Sequence, residues 1–199
     1  RGYLPPPELA KKVSSPPYDV LSSNEARSIT KKNSDSFLRV IKPETDYEPG
    51  NEPEREALHH HAAENLAGFI RSGSLIQDEE LCFYIYRISM DDHIQTGIIA
   101  AVSVQEYNQG LIKKHELTRS DKEDDRTLHI EITNANTGPV FLTFRNKGGF
   151  QNQISNIINQ KKDITFQTDD QTIHTLWKIK STEILESLKR YFESIPALY

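Results

Sequence analysis

Between Lys113 and Phe144 the chain concentrates side chains able to handle protons and anions: His115-Glu116-Leu117-Thr118, the Asp124-Asp125-Arg126 run and Asn134-Ala135-Asn136-Thr137-Gly138-Pro139. Ser120 and Glu123 have capping-box spacing, so a helix is predicted from Asp121 to about Asn134. His115, Glu116 and Thr118 then lie in the approach to a helix N-terminus, where free N–H groups and the dipole favour an anion or phosphate. Asp121, Asp124 and Asp125 compete for the same field and suit a metal-bound phosphate better than a bare one.

Several chemistries fail on spacing. His115-Glu116 begins like a zinc-protease helix, yet Arg119 stands where the second histidine is required. There is no G-x-S-x-G, no G-x-x-x-x-G-K-[ST] and no G-x-G-x-x-G, so a nucleotide would have to bind by another architecture. Plainer readings stand beside the polar site. His115 can be an ordered histidine at a strand end. Asp125-Arg126 can be an exposed pair contributing about 0 to 1 kcal/mol. Asn134, Asn136, Thr137 and Gly138 can form a helix C-cap and turn.

In Ser15-Pro16-Pro17-Tyr18-Asp19 two prolines stiffen the backbone before a phenol and a carboxylate, which holds polar groups at a defined place, although a rigid turn with Tyr18 packed explains it too. His59-His60-His61 invites a metal reading through His60 and Glu64. A helix cannot aim three consecutive residues at one ion, so a solvated polar face is expected and no metal ligand is assigned.

These residues must be positioned by a chain of 199 residues with 36% hydrophobic and 27% charged side chains, the balance of a water-soluble globular protein. The net charge of -5 argues against a general grip on nucleic acid. No apolar run approaches a membrane span, and the single cysteine, Cys82, fits a reducing, cytoplasmic compartment. The expected fold is α+β, a mixed and largely antiparallel sheet with helices packed on it, forming one domain over residues 1–199. A Pro-rich extended lead-in covers residues 1–21.

Ser22 and Glu25 predict a short helix over 24–32, followed by a strand over 36–42. Pro53 opens a long helix that Gly73 ends, with Leu58, Ala62, Leu66, Phe69 and Ile70 at helical spacing. Residues 81–90 and 94–104 read as an antiparallel hairpin about Asp91-Asp92-His93, its second arm apolar enough for a central strand covered on both faces. A strand over 140–144, a helix over 150–160, paired strands over 163–168 and 172–180, and a helix over 181–195 burying Leu185, Leu188 and Phe192 complete the chain. Ile195-Pro196-Ala197-Leu198-Tyr199 reads as a strand cut short. The start at Arg1 without Met points to a piece of a longer protein.

The segments Pro16-Pro17-Tyr18-Asp19-Val20, His115-Glu116-Leu117-Thr118, 122–126, 133–141 and 174–179, in this order and spacing, together resemble the bacterial and archaeal proteins of domain-of-unknown-function family 1015. Where that family tends to have a basic residue after His-Glu, this chain has Leu117. The resemblance implies a chain about twice this length, whose later Asp-Gly-His-His-Arg motif is absent here. That motif is distantly similar to the phosphate-handling segment of ParB, sulfiredoxin and free-serine-kinase proteins.

By that analogy a nucleotide-dependent, phosphotransfer-type enzyme acting on a small polar molecule is expected, with Mg-ATP or Mg-ADP as the implied cofactor. His115, Glu116 and Asp125 are then the candidate catalytic residues, and Thr118, Arg126, Asn134, Thr137, Tyr18 and Asp19 the candidate phosphate or ligand contacts. The rival reading is a non-catalytic ligand-binding or scaffold module. A small-molecule partner is expected, with no nucleic acid and no membrane. The residues on their own are expected to lack turnover and to self-associate through the truncated C-terminal edge.

Overall fold

The computed structural model describes residues 1–114, 117–146 and 148–199. Its elements begin with β1 (Tyr3–Leu4), α1 (Ala10–Val13), α2 (Ser23–Lys32), α3 (Leu38–Ile41), α4 (Arg55–Arg71) and β2 (Ile76–Gln77). They continue with β3 (Phe83–Met90), β4 (His93–Ile99), α5 (Val104–Asn108), α6 (Ser120–Thr133), α7 (Phe150–Ile158), β5 (Ile164–Gln167), β6 (Ile173–Ile179) and α8 (Thr182–Glu193). The fold is α+β, as the sequence predicts. The chain forms two compact units, one of residues 1–2, 77–117 and 141–199, the other of 3–76 and 118–140.

The first unit is built on an antiparallel sheet in the order β4-β3-β6-β5. Ile85 stands opposite Trp177 and Phe83 opposite Ile179, so the two-residue period of both strands delivers one continuous apolar face. That face packs on Phe150, Ile154 and Ile157 of α7 and Leu188 of α8. Ser181 caps α8 by accepting from the Ile184 N–H, which starts the helix where its apolar stripe must begin. Asp91 adopts φ 50° in the β3–β4 turn, a conformation aspartate tolerates.

Three expectations for this unit are corrected. β4 is an edge strand, with Ile94 61% exposed, because β6 takes the other side of β3. Residues 140–144 form no regular strand, although Thr143 and Tyr199 exchange both backbone hydrogen bonds. Leu185 and Phe192 are only partly buried, and Leu188 is the residue sealed in the core. At the chain end Leu198 bridges Ile112 in parallel, so the apolar run there is paired.

The second unit is helical, with β1 and β2 forming a small two-stranded sheet. The predicted capping box of α2 is present, Ser22 and Glu25 each accepting from the other's backbone N–H. The predicted strand over 36–42 is instead the helical turn α3, because Leu38, Val40 and Ile41 are all buried among helices that offer no sheet edge to pair with. In α4, Ala62, Leu66 and Phe69 make the buried stripe, and Gly73 at φ 75° follows the helix end. α4 packs against α6. The two helices carry the candidate site.

Candidate functional site

The three histidines of α4 point to three different places. His59 falls on the buried stripe three residues before Ala62 and is 4% exposed. His60 is exposed. His61 Nε2 lies 2.7 Å from Asp46 Oδ2. The expected solvated face is thus corrected for His59, the stripe position that a helical count places inward.

Asp46 is the hub of a tightly paired group. Arg39 donates to both its oxygens at 2.8 and 3.0 Å, and Asn65 Nδ2 adds a third bond at 3.0 Å. Burial works to raise the Asp46 carboxyl, but the bonds from Arg39, Asn65 and His61 hold it below the usual range. With both Asp46 oxygens engaged, this cluster ties α3, α4 and the chain between them together.

α6 supplies the facing residues. Asp125, His129 and Thr133 stand four apart and share one side, while Ile130 is 43% exposed. The Nε2 of His59 lies 3.1 Å from Asp125 Oδ1, and its Nδ1 lies 3.3 Å from Nδ1 of His129. His129 Nε2 is 3.0 Å from the Thr137 hydroxyl, and His129 is 1% exposed. Arg126 Nη2 donates to Asp125 Oδ2 at 2.8 Å, and its guanidinium lies 4.6 Å over the ring of Tyr18. Tyr18 opens a single 3-10 turn set up by extended Pro17, as a stiffened loop would place it.

The charges follow this geometry. Burial works to raise the Asp125 carboxyl, but the Arg126 hydrogen bond and charge, together with His59, hold it below the usual carboxylate range. Burial above all, then the charge of Arg126 and that of His59 whenever its ring is protonated, push His129 down to about 4, against the pull of Asp125. His129 is therefore neutral at neutral pH.

Beside the Asp125–His59 pair lies a cavity of about 250 Å³. Tyr18, His59, Asp125 and Arg126 line one part of it, and Ile41, Pro43 and Leu58 give it an apolar wall. Lys42, Arg55 and Lys122 add three more cations, against Glu44 and Asp125 as its acids. Glu44 is already engaged by Lys42 at 3.3 Å and by Ser23 at 3.3 Å. The balance of charge favours an anionic guest.

Of the residues singled out in sequence, Tyr18, Asp125 and Arg126 meet at this cavity, and Thr137 joins through His129. Asp19 is exposed in the 3-10 turn and does not line the cavity. Thr118 donates to Glu123 at 3.0 Å. The predicted Ser120 cap is corrected, since Arg119 is the N-cap and no side chain caps α6. Asn134 ends α6 in the left-handed conformation, φ 49°. His115 and Glu116 lie outside the described residues. Among the described residues no group of three or more His, Cys, Asp or Glu could hold a metal ion, and no helix is long and apolar enough to cross a membrane.

Sequence reasoning missed His59 and His129. The signal was present in both cases: His59 keeps step with Ala62, Leu66 and Phe69, and His129 keeps step with Asp125 and Thr133.

The model of a family with the description "Protein of unknown function (DUF1015)" matches residues 1–199. No curated protein matches, and no solved structure matches. The distant similarity to ParB-type proteins is not among these findings.

Proposed function

The chain belongs to the DUF1015 family, and from the cation-lined cavity of its helical unit we propose that it is a cytoplasmic enzyme of phosphotransfer type, binding the phosphoryl group of a small molecule there. The observation that carries this reading is the meeting of Arg126, Lys122, Arg55 and Lys42 with the Asp125–His59 pair around one cavity. Phosphoryl transfer asks little covalent chemistry of a protein. It asks for cations that neutralise charge on the equatorial oxygens and for a group that handles one proton. Arg126, held by Asp125 and stacked on Tyr18, presents donors in a fixed direction, and His59 with Asp125 handles the proton.

Size narrows the guest. Pockets for drug-sized ligands run from about 300 to 1,000 Å³, so a cavity of about 250 Å³ suits a phosphorylated small metabolite or the phosphate end of ATP or ADP. The donor set favours a phosphate held by cations over a directly ligated Mg²⁺. Each Asp125 oxygen already accepts a hydrogen bond, from His59 or from Arg126, and Oε1 of Glu44 is shared by Lys42 and Ser23.

Thermal unfolding of the protein with inorganic phosphate, Mg-ATP, Mg-ADP and free amino acids tests the reading, since a ligand at one hundred times its Kd stabilises by about 2.7 kcal/mol. Phosphate-bearing ligands are expected to raise the transition and Arg126→Ala to abolish the rise. No shift at millimolar phosphate in any form overturns the site. Binding without any transfer or hydrolysis of phosphate supports the non-catalytic binding module instead.

A further inference from the structure

The geometry points to one continuous proton path, Thr137–His129–His59–Asp125, in which Thr137 is the port and His129 the carrier that together supply or drain the proton His59 handles beside the cavity. The path rests on the cavity reading only for its use, because its bonds exist without any ligand. Thr137 and His129 are positioning residues in this scheme. Neither lines the cavity.

The direction of every bond follows from the groups at the ends. Asp125 is an ionised acceptor, so the hydrogen between it and His59 belongs to Nε2 of His59. While His59 carries no charge, its Nδ1 is then a lone pair. The 3.3 Å contact between the two Nδ1 atoms is a hydrogen bond only when one donates, so the hydrogen sits on Nδ1 of His129. Nε2 of His129 is left as an acceptor, and the Thr137 hydroxyl, 3.0 Å away, donates to it. Thr137 is itself half-buried at the turn after α6.

Running the path once changes each of these assignments. The Thr137 proton moves to Nε2 of His129 as the Nδ1 proton of His129 moves to Nδ1 of His59, and Thr137 recovers a proton from outside. The positive charge ends on His59, next to the Asp125 carboxylate, and never rests on His129. That matters because His129 is sealed from solvent and its charged form is disfavoured, whereas His59 has a counter-ion at 3.1 Å. The proton thus reaches His59 through Nδ1, and the Nε2 proton of His59 faces Asp125, which lines the cavity and passes it on.

Nitrogen-15 spectra of the ligand-free protein at neutral pH test the path. His129 is expected as the Nδ1–H tautomer and His59 as the Nε2–H tautomer. In Thr137→Val the exchange of the His129 ring proton with solvent is expected to slow at least tenfold, and Thr137→Ser to restore it. A merely structural Thr137 would give the opposite sign, because a loosened turn speeds exchange. His129 found as Nε2–H overturns the path, as does exchange in Thr137→Val that is unchanged or faster. Should Thr137→Val fail to fold, the wild-type tautomers and a Thr137→Ser variant exchanging like wild type decide the matter. Inorganic phosphate titrated into the same samples separates the two readings: no phosphate binding with the expected tautomers sinks the cavity and keeps the path, and the reverse result sinks only the path.

Discussion

The guanidinium of Arg126 lies 4.6 Å over the ring of Tyr18 while its Nη2 donates to Asp125 at 2.8 Å. One side chain is thereby fixed from a face and from an edge, and it borders the cavity already aimed. An exposed cation–π contact is worth roughly 0.5 to 1 kcal/mol, and a planar fork binds phosphate in a way an ammonium does not.

Arg126→Lys is therefore expected to weaken phosphate binding about tenfold, and Tyr18→Leu by about two- to fivefold, with the unfolding transition little changed in either. Calorimetric titration with phosphate measures both. Wild-type affinity in Arg126→Lys would remove the guanidinium from the site.

His129 makes stability depend on pH with a definite sign. Its folded value is pushed down to about 4 from an ordinary value near 6.5. Between those values the unfolded chain binds a proton that the folded chain refuses, so the stability present above pH 6.5 falls as pH drops through the window, by on the order of 3 kcal/mol. His174, lowered by burial, adds a slope of the same sign in the other unit. Below about pH 4 the paired carboxylates Asp125 and Asp46, both held low, lose their contribution as well. Urea midpoints from pH 7 to 4 are expected to fall for the wild type and to fall less steeply for His129→Gln. Equal slopes would mean that His129 titrates normally.

Leu188 carries the core of the sheet unit. It is 0% exposed between Ile154, Trp177 and their neighbours, whereas Leu185 on the same helix is only partly buried. Leu188→Ala is expected to cost about 2 to 5 kcal/mol and Leu185→Ala clearly less. Urea melts that rank the two in the opposite order would contradict this packing.

Asn134 tests whether the end of α6 is structural. At φ 49° an alanine pays a left-handed penalty of about 1 to 2 kcal/mol that a glycine escapes. Asn134→Gly is expected to keep both stability and phosphate binding, and Asn134→Ala to lose about 1 kcal/mol. Loss of phosphate binding in a stable Asn134→Gly variant would instead place the amide at the ligand, the role first assigned to it in sequence.

Periodicity alone determined most of the elements. The alternation in β3 and β6, the stripe Ala62-Leu66-Phe69 in α4, the capping box Ser22–Glu25 and the Asp91-Asp92 hairpin are local patterns, and local patterns survive in the linear chain. Asp125, Arg126 and Tyr18 were legible as site candidates for a related reason, since side-chain type and loop stiffness are local too.

What an apolar or polar segment meets is decided elsewhere. Leu38-Arg39-Val40-Ile41 has the composition of a strand and forms a helical turn among buried helices, and β4 has the composition of a central strand and lies at the edge because β6 occupies the other side of β3. His59 is expected on a solvated face in sequence, and His129 is not singled out there. Only the packing of α4 against α6 turns their stripe positions into a contact of 3.3 Å, and only burial makes that contact directional, because a sealed nitrogen has no water to turn to.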